Sequence, residues 1–145
     1  NYFGGWDFNW TRIIPSTINC ILKNQPIILR SDGKFTRDFL YIEDAVEIQL
    51  FLAQKLAADK SINGEPFNFS LENDLEIIEL VEKIKEIMNS SLEIQVDSNT
   101  KAEIKFMQVS SKKAKETLNW VPIFDLNTSL LRTINWYKDY LAKIE

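Results

Sequence analysis

The chain has 145 residues, of which 45% are apolar and 26% charged, a balance that is typical of one globular domain and excludes a disordered chain. No apolar run approaches the length of a membrane span, and nothing at the start reads as a signal peptide. With no histidine and one cysteine, the sequence excludes ordinary zinc sites and Ser-His or Cys-His nucleophile pairs. We expect Cys20 to be a buried thiol in an intracellular, cytoplasmic protein.

Positive charge is concentrated at the start of the chain. Although the formal net charge is −4, the first 37 residues carry five basic and only two acidic side chains. Three of the four arginines, Arg12, Arg30 and Arg37, fall in this stretch. A planar guanidinium holds phosphate oxygens in two-point geometry, so the cluster predicts a site for a phosphate-bearing ligand. The acidic remainder argues against a nucleic-acid surface.

Periodicity in the first half predicts short strands and two helices. The predicted elements are a strand from Asn1 into the Gly4-Gly5 turn, a helix over residues 10–23, strands over residues 27–30 and 39–42, and a helix from Glu43 to about Ala58. Three aromatic residues, Trp6, Phe8 and Trp10, could form a wall for a sugar or a base. Their spacing favours packing in the core instead.

The second half is predicted to be mainly helical. Asn73, with Glu76 three residues later, has the form of a capping box for a helix through Met88, and Asp125 is expected to cap the final helix. The other predicted elements are strands over residues 66–70, 92–96 and 106–109 and a short helix from Ser110 to about Asn119. The residues expected in the core are Trp120, Trp136 and Tyr137. The whole pattern predicts a mixed α/β domain of short strands and about five helices.

Four segments carry a family resemblance. They are Asn1-Tyr2-Phe3-Gly4, Arg37-Asp38-Phe39-Leu40-Tyr41-Ile42-Glu43-Asp44, Leu118-Asn119-Trp120-Val121-Pro122 and Thr133-Ile134-Asn135-Trp136-Tyr137. In this order and spacing they resemble the carboxy-terminal, substrate-binding lobe of the extended short-chain dehydrogenase/reductases that modify nucleotide-activated sugars. The resemblance implies an α/β fold, the carboxy-terminal part of a Rossmann-type enzyme. A glycine is usual in the family where this chain has Asn119.

Within that family, one stretch looks most like CDP-glucose 4,6-dehydratase. It is Gly4-Gly5-Trp6-Asp7-Phe8 followed by Arg12-Ile13-Ile14-Pro15, although Trp6 stands where a third glycine is usual. The resemblance implies a parent enzyme, a lyase, that converts a nucleoside-diphosphate hexose to its 4-keto-6-deoxy product and water. A nucleotide-sugar 4-epimerase, another dehydratase and a noncatalytic sugar-nucleotide-binding module are the alternatives.

Two parts of such an enzyme have no counterpart in the sequence. The four glycines do not form the Gly-x-x-Gly-x-x-Gly loop that receives a dinucleotide, and no tyrosine has a lysine four residues later. The resemblance then implies that residues 1–145 are the substrate-binding domain of a longer protein, without its Rossmann NAD-binding domain. That domain would bind most of the NAD, the parent is expected to be a homodimer, and this part alone is expected to be inactive. Nucleic acid and membrane are not expected as partners.

The resemblance assigns the diphosphate of the sugar nucleotide to two arginines. Arg37 would grip it, although an ion pair of Arg37 with Asp38 or Glu43 is the alternative. Arg12, in the first turn of its helix, would meet the same diphosphate. A basic group at the positive end of a helix opposes the helix dipole, and a nearby anion would remove that conflict.

Four further residues receive substrate-binding roles from the resemblance, and none is catalytic. The amide of Asn1 would donate to a phosphate. Arg30 would lie beside the nucleotide base or be an exposed, solvated strand end. Asn68 matches a residue at the rim of the site, with a structural polar group as the alternative, and Glu103 matches one near the sugar, with an exposed charge as the alternative.

Overall fold

The computed structural model describes residues 1–97 and 104–144. The helices in these residues are α1 (Ile13–Leu22), α2 (Ile42–Ala58), α3 (Ile77–Ile87), α4 (Lys112–Leu118) and α5 (Leu126–Ile144). The strands are β1 (Tyr2–Phe3), β2 (Ile27–Leu29), β3 (Thr36–Arg37), β4 (Leu40–Tyr41), β5 (Leu75–Glu76) and β6 (Ile94–Val96). The predicted mixed α/β domain with five helices is confirmed for the described residues. None of these helices is both long enough and apolar enough to cross a membrane.

The strands pair two by two and join distant parts of the chain. β1 is parallel to β4, β2 is parallel to β6, and β3 is antiparallel to β5. Because β1 and β4 are parallel neighbours, everything between them, including α1 and β2, forms the crossover that parallel pairing requires. The pairing sets Tyr2 opposite Leu40, and Leu40 N donates to the carbonyl of Asn1 at 2.9 Å. The start of the chain therefore lies beside the end of the arginine-rich stretch.

The main core lies between α1, α3 and α5. Side chains that are fully buried there are Ile18, Leu80, Ile84, Leu130 and Ile134. The Phe3 ring packs against Phe39 and Tyr41, with centroids 6.4 and 5.7 Å apart. Each fully buried side chain of this size contributes about 1.5–3 kcal/mol relative to an exposed one. The core consequently fixes the β1–β4 pair relative to α1.

The prediction of a strand over residues 66–70 is wrong. Phe69 packs edge-on against Trp120, 5.2 Å between ring centroids, and Lys113 Nζ lies 4.9 Å from the centre of the Phe67 ring. Both phenylalanines contact the small core around Leu40 and Trp120. The two phenylalanine side chains are therefore packed against a core, but the backbone of this segment belongs to none of the described strands.

The predicted cap of α3 is also wrong. α3 begins three residues later than expected, with Glu76 as its N-cap and the Glu79 carboxylate accepting from the Glu76 N–H at 2.9 Å. Asn73 instead pairs with the backbone of Phe39, donating to its carbonyl at 3.2 Å and accepting from its N–H at 3.4 Å. A long-range contact has replaced the local one.

Other predicted ends are close to the observed ones. The Asp125 cap is confirmed, since its carboxylate accepts from the Thr128 N–H at 2.8 Å. The N-cap position of α4 is Ser111, but the side chain that accepts from the first helical N–H, that of Lys112 at 3.2 Å, is the predicted Ser110. The strand expected over residues 106–109 is wrong, because it reduces to one bridge between Phe106 and β3.

Candidate binding cleft

A cleft of about 750 Å³ is bordered by β1, β2 and the first turns of α1. Four of the six residues assigned to a ligand line it, namely Asn1, Arg12, Arg30 and Arg37. Its apolar lining includes Phe3, Ile14, Pro15, Leu29 and Phe39. Clefts of this volume with an apolar lining and a few convergent polar groups are typical small-molecule sites.

The charge of the cleft is opposite to that of the chain. Three guanidinium groups and one carboxylate, that of Asp7, line it, whereas the chain as a whole has a net charge of −4. A concave surface with low-dielectric walls focuses such a charge surplus and attracts an anion. Each guanidinium can also donate two parallel hydrogen bonds to phosphate oxygens, which a lysine cannot do.

Arg37 is the most buried of the three arginines, with 8% of the residue exposed. Its strand, β3, is held by pairing with β5, and its Nη1 donates to the carbonyl of Thr36 at 2.9 Å. The guanidinium carbon lies 5.7 Å from the centre of the Phe35 ring. These contacts restrict the side chain, so an anion in the cleft would meet a guanidinium that is already oriented.

The two carboxylates weighed as alternative partners of Arg37 have other contacts. Asp38 is buried and accepts a hydrogen bond from the hydroxyl of Ser70. Glu43 accepts from Arg132 Nη2 at 2.7 and 2.9 Å and from the Tyr41 hydroxyl at 2.8 Å. The Tyr41 hydrogen bond is the main cause that lowers the pKa of Glu43.

Arg12 lies at the N-cap of α1, where the helix dipole is positive. Its Nη1 donates to the Asp7 carboxylate at 3.1 Å. The conflict noticed in the sequence is therefore relieved within the chain by Asp7. The Arg12 side chain is 62% exposed, against 18% for Asp7, so a ligand can reach the guanidinium while Asp7 holds it.

Asn1 and Arg30 lie at two other edges of the cleft. The Asn1 amide donates to the carbonyl of Asp38 at 3.1 Å, which uses one of its two N–H groups. Arg30 is exposed and directly follows β2, beside Ser31. Asn1 is thus placed by the β1–β4 pairing and Arg30 by the β2–β6 pairing.

Two predicted residues are not brought to the cleft by the described structure. Asn68 is exposed and is absent from the cleft lining. Glu103 lies outside the described residues. Cys20, expected to be buried, is half-buried and lines the cleft.

The prediction that Trp6, Phe8 and Trp10 pack in the core is wrong. They are 74%, 43% and 37% exposed. Trp6 and Phe8 rest on the outer face of α5, 5.2 Å from Trp136 and 5.0 Å from Tyr140 between ring centroids, and Trp10 lies 5.7 Å from the ring of Tyr137. They do not line the cleft either. Trp6 has a φ of 65°, a left-handed conformation that glycine adopts more readily than a residue with a Cβ.

Sequence reasoning missed Asp7, which lines the cleft, and Tyr137, which contacts the Asp7 backbone from behind. The Tyr137 hydroxyl donates to the carbonyl of Asp7 at 2.7 Å and lies 3.4 Å from that of Gly4. Burial raises the pKa of Tyr137, so the phenol keeps its proton and acts as a donor. The spacing of Asp7 to Arg12 could have suggested an ion pair. Nothing local could have revealed a contact that spans 130 positions.

Chemically, the cleft lining can donate hydrogen bonds to an anion more readily than it can transfer a proton. Its polar groups are mainly donors, and Asp7, its one carboxylate, is occupied by Arg12. In the described part of the chain there is no group of three or more cysteine, aspartate or glutamate side chains that could hold a metal ion.

Residues 1–70 match the model of the NAD dependent epimerase/dehydratase family. This matched stretch contains Asn1, Arg12, Arg30, Arg37 and Asn68. It also contains β1 to β4, and hence the cleft apart from Ile77. The family likeness and the cleft therefore fall in the same part of the chain.

Relatives extend the likeness over most of the chain. It is 29% identical to the UDP-N-acetyl-alpha-D-glucosaminuronate decarboxylase of Bacillus cytotoxicus, over 92% of this chain and 42% of the relative. It is 28% identical to the UDP-glucuronate 4-epimerase of Thermodesulfobacterium geofontis, over 88% of this chain and 38% of the relative.

A solved structure shares the fold. The dTDP-glucose 4,6-dehydratase of Bacillus anthracis, determined in complex with NAD, superposes with a TM-score of 0.78 at 22% identity, over 96% of this chain and 42% of that chain. The chain thus spans less than half of the length of the relatives it matches. At this identity the structure supports the fold alone.

Proposed function

We propose that this chain belongs to the NAD dependent epimerase/dehydratase family, whose model matches residues 1–70, and that it binds the nucleoside-diphosphate part of a sugar nucleotide in the cleft. The observation behind the proposal is that Asn1, Arg12, Arg30 and Arg37 line one cavity of about 750 Å³ in an otherwise acidic chain. A diphosphate has several oxygens in a fixed arrangement. Guanidinium forks and an amide N–H can satisfy these oxygens from different sides.

The binding role follows from what the named relatives have in common. One is named as a decarboxylase, one as a 4-epimerase and one as a 4,6-dehydratase, yet each name contains a sugar joined to a nucleoside diphosphate. The three relatives thus share the anionic nucleoside diphosphate of the substrate named for each, and they differ in the reaction. Binding energy gained at the diphosphate, away from the reacting carbons, is used to orient the sugar.

For the reaction of the whole protein we propose an NAD-dependent 4,6-dehydratase that acts on CDP-glucose. Its support is the resemblance of the stretch from Gly4 to Pro15. The competing reaction is 4-epimerisation or decarboxylation of another sugar nucleotide, supported by the names of the relatives.

The residues of this chain do not fit NAD. The Gly4-Gly5 turn follows β1 as a dinucleotide loop would, but α1 begins only at Ile13. A side-chain carbon added at Gly5 would lie 2.6 Å from the Trp136 ring, so an indole already covers the face that a pyrophosphate would need. We therefore propose that this chain is part of a longer protein and that NAD binds in another domain of it.

Titration calorimetry of the chain with CDP-glucose, UDP-glucose and dTDP-glucose tests the binding role. We expect at least one to bind, and Arg37→Ala to weaken it by about tenfold or more, because a charged hydrogen-bond partner is worth about 1.5–3 kcal/mol. The matched control is Arg132→Ala, which removes the same charge from the one arginine that does not line the cleft. Equal affinity of the two variants would contradict the proposal.

The same titration separates the finer alternatives. Preference for CDP-glucose supports the dehydratase, whereas preference for a uridine or thymidine ligand removes the CDP assignment. Assay of a longer gene product for the 4-keto-6-deoxy product, against the 4-epimer of the substrate, then decides the reaction.

A further inference from the structure

We propose that Tyr137, on the last helix, is a positioning residue for Arg12. It would act through the backbone of the loop over residues 4–12, and it does not touch the ligand itself. The proposal rests on the proposed function, since it assigns a second layer to the same diphosphate site.

Tyr137 fastens the loop by a hydrogen bond from the protein interior. The residue is fully buried, and its hydroxyl donates to the carbonyl of Asp7 at 2.7 Å and lies close to that of Gly4. The phenol of Tyr137 on α5 therefore contacts the carbonyl at each end of the Gly4–Asp7 turn. Because a buried carbonyl without a donor is costly, this contact determines where the Asp7 backbone can lie.

Aromatic packing holds the same loop against α5 from outside. Gly5 lies so close to the Trp136 ring that a Cβ would approach to 2.6 Å. The rings of Trp6 and Phe8 contact Trp136 with centroids 5.2 and 6.0 Å away, and Tyr140 stacks on Trp136 at 5.1 Å. These pairs have the separations at which aromatic rings attract each other.

The loop has two faces, and the second face is the cleft. Asp7, Thr11 and Arg12 line the cleft, whereas Trp6, Phe8 and Trp10 do not. The Asp7 carboxylate holds Arg12 Nη1 at 3.1 Å, so the path from α5 to the cleft is Tyr137, the Asp7 backbone, the Asp7 carboxylate and the Arg12 guanidinium. Arg12 is long and 62% exposed, and orienting such a side chain before binding reduces the entropy lost on binding.

A double-mutant cycle tests this path. The variants are Tyr137→Phe, Arg12→Ala and the pair, each titrated with CDP-glucose, UDP-glucose and dTDP-glucose and compared on whichever of the three binds the unmodified chain most tightly. We expect Tyr137→Phe to weaken binding about fivefold, the size of one net hydrogen bond. The same change in the Arg12→Ala background should have no effect, because the group being positioned is gone.

The matched control is Thr133→Val. Thr133 is one turn earlier on α5, equally buried, and its hydroxyl also donates to one carbonyl, that of Ser129, at 2.7 Å. The Thr133→Val variant should unfold at a lower urea concentration than the unmodified chain but bind the nucleotide sugar with the same affinity. Should Tyr137→Phe fail to fold, Phe8→Ala removes an exposed anchor of the same loop and should weaken binding about twofold, again only when Arg12 is present.

The outcomes separate the two proposals. If none of the three nucleotide sugars binds the unmodified chain, the proposed function fails and this inference falls with it. If one binds but the effects of Tyr137→Phe and Arg12→Ala add, or either change has no effect, or Thr133→Val loses as much affinity, only the positioning role is overturned.

Discussion

Glu72 ties the segment before β5 to the start of α4, and its replacement by glutamine should destabilise the chain in a pH-dependent way. The carboxylate pairs with Lys115 and accepts from the Ser111 N–H at 2.8 Å and the Ser110 hydroxyl at 3.2 Å. The Lys115 contact is the largest cause, and together they lower the pKa of Glu72 from its ordinary value of 4.5 to about 2. Glutamine keeps the shape but loses the charge.

The expected size of the effect follows from this pKa and from the exposure of the carboxylate. One pKa unit corresponds to about 1.4 kcal/mol, so a fully shielded carboxylate would contribute about 3 kcal/mol. The Glu72 side chain is 31% exposed, and solvent screening reduces such pairs to about 1 kcal/mol. For a chain of this length, that lowers Tm by about 3 °C.

The direction of the pKa shift of Glu72 determines how its contribution to stability depends on pH. Because the pKa of the folded-state carboxyl lies below its ordinary value, its stabilisation is present above pH 4.5 and is lost as the pH falls toward 2. The difference in free energy of unfolding between the unmodified chain and Glu72→Gln should therefore be full at pH 7 and shrink between pH 4.5 and pH 2.

Urea denaturation followed by circular dichroism at several pH values measures this difference. Glu116→Gln is the control, since Glu116 is 65% exposed, meets Lys112 only at 3.8 Å and should contribute nothing measurable. A Glu72→Gln effect that is absent at pH 7, or as large near pH 2 as at pH 7, would refute the reasoning.

Two backbone predictions can be checked by the same denaturation assay. Gly5→Ala should cost about 1–3 kcal/mol, because the new Cβ would lie 2.6 Å from the Trp136 ring, and an unchanged urea midpoint would contradict that packing. Asn119, which ends α4 with a φ of 55°, should tolerate glycine without loss, whereas Asn119→Ala should cost about 1 kcal/mol; equal stability of the two variants would count against the left-handed cap.

Helices were the most predictable part of the fold. Each has an apolar face at helical spacing, and such a pattern can be recognised from ten to twenty consecutive residues alone. The start of α5 could be predicted because Asp125 acts on an N–H three residues away. The start of α3 could not, because Asn73 has a partner in Phe39, which is 34 positions distant.

The family resemblance was readable from the four motifs, and the family model matches the part of the chain that contains two of them. The site residues could be proposed from the same motifs, but their meeting in one cleft could not. Arg12 is placed by α1, Arg37 by the β3–β5 pair and Asn1 by the β1–β4 pair. Each depends on a partner strand or helix from elsewhere in the sequence.

The sequence by itself determined the helices, the excess of arginine at the start and the exclusion of histidine-dependent chemistry, because these are properties of composition and short-range spacing. Only the tertiary structure decided which aromatic residues are buried and which side chains share the cleft. Trp6 shows why: its neighbours in sequence suggested a core, but the outer face of α5, which it meets only after folding, leaves it 74% exposed.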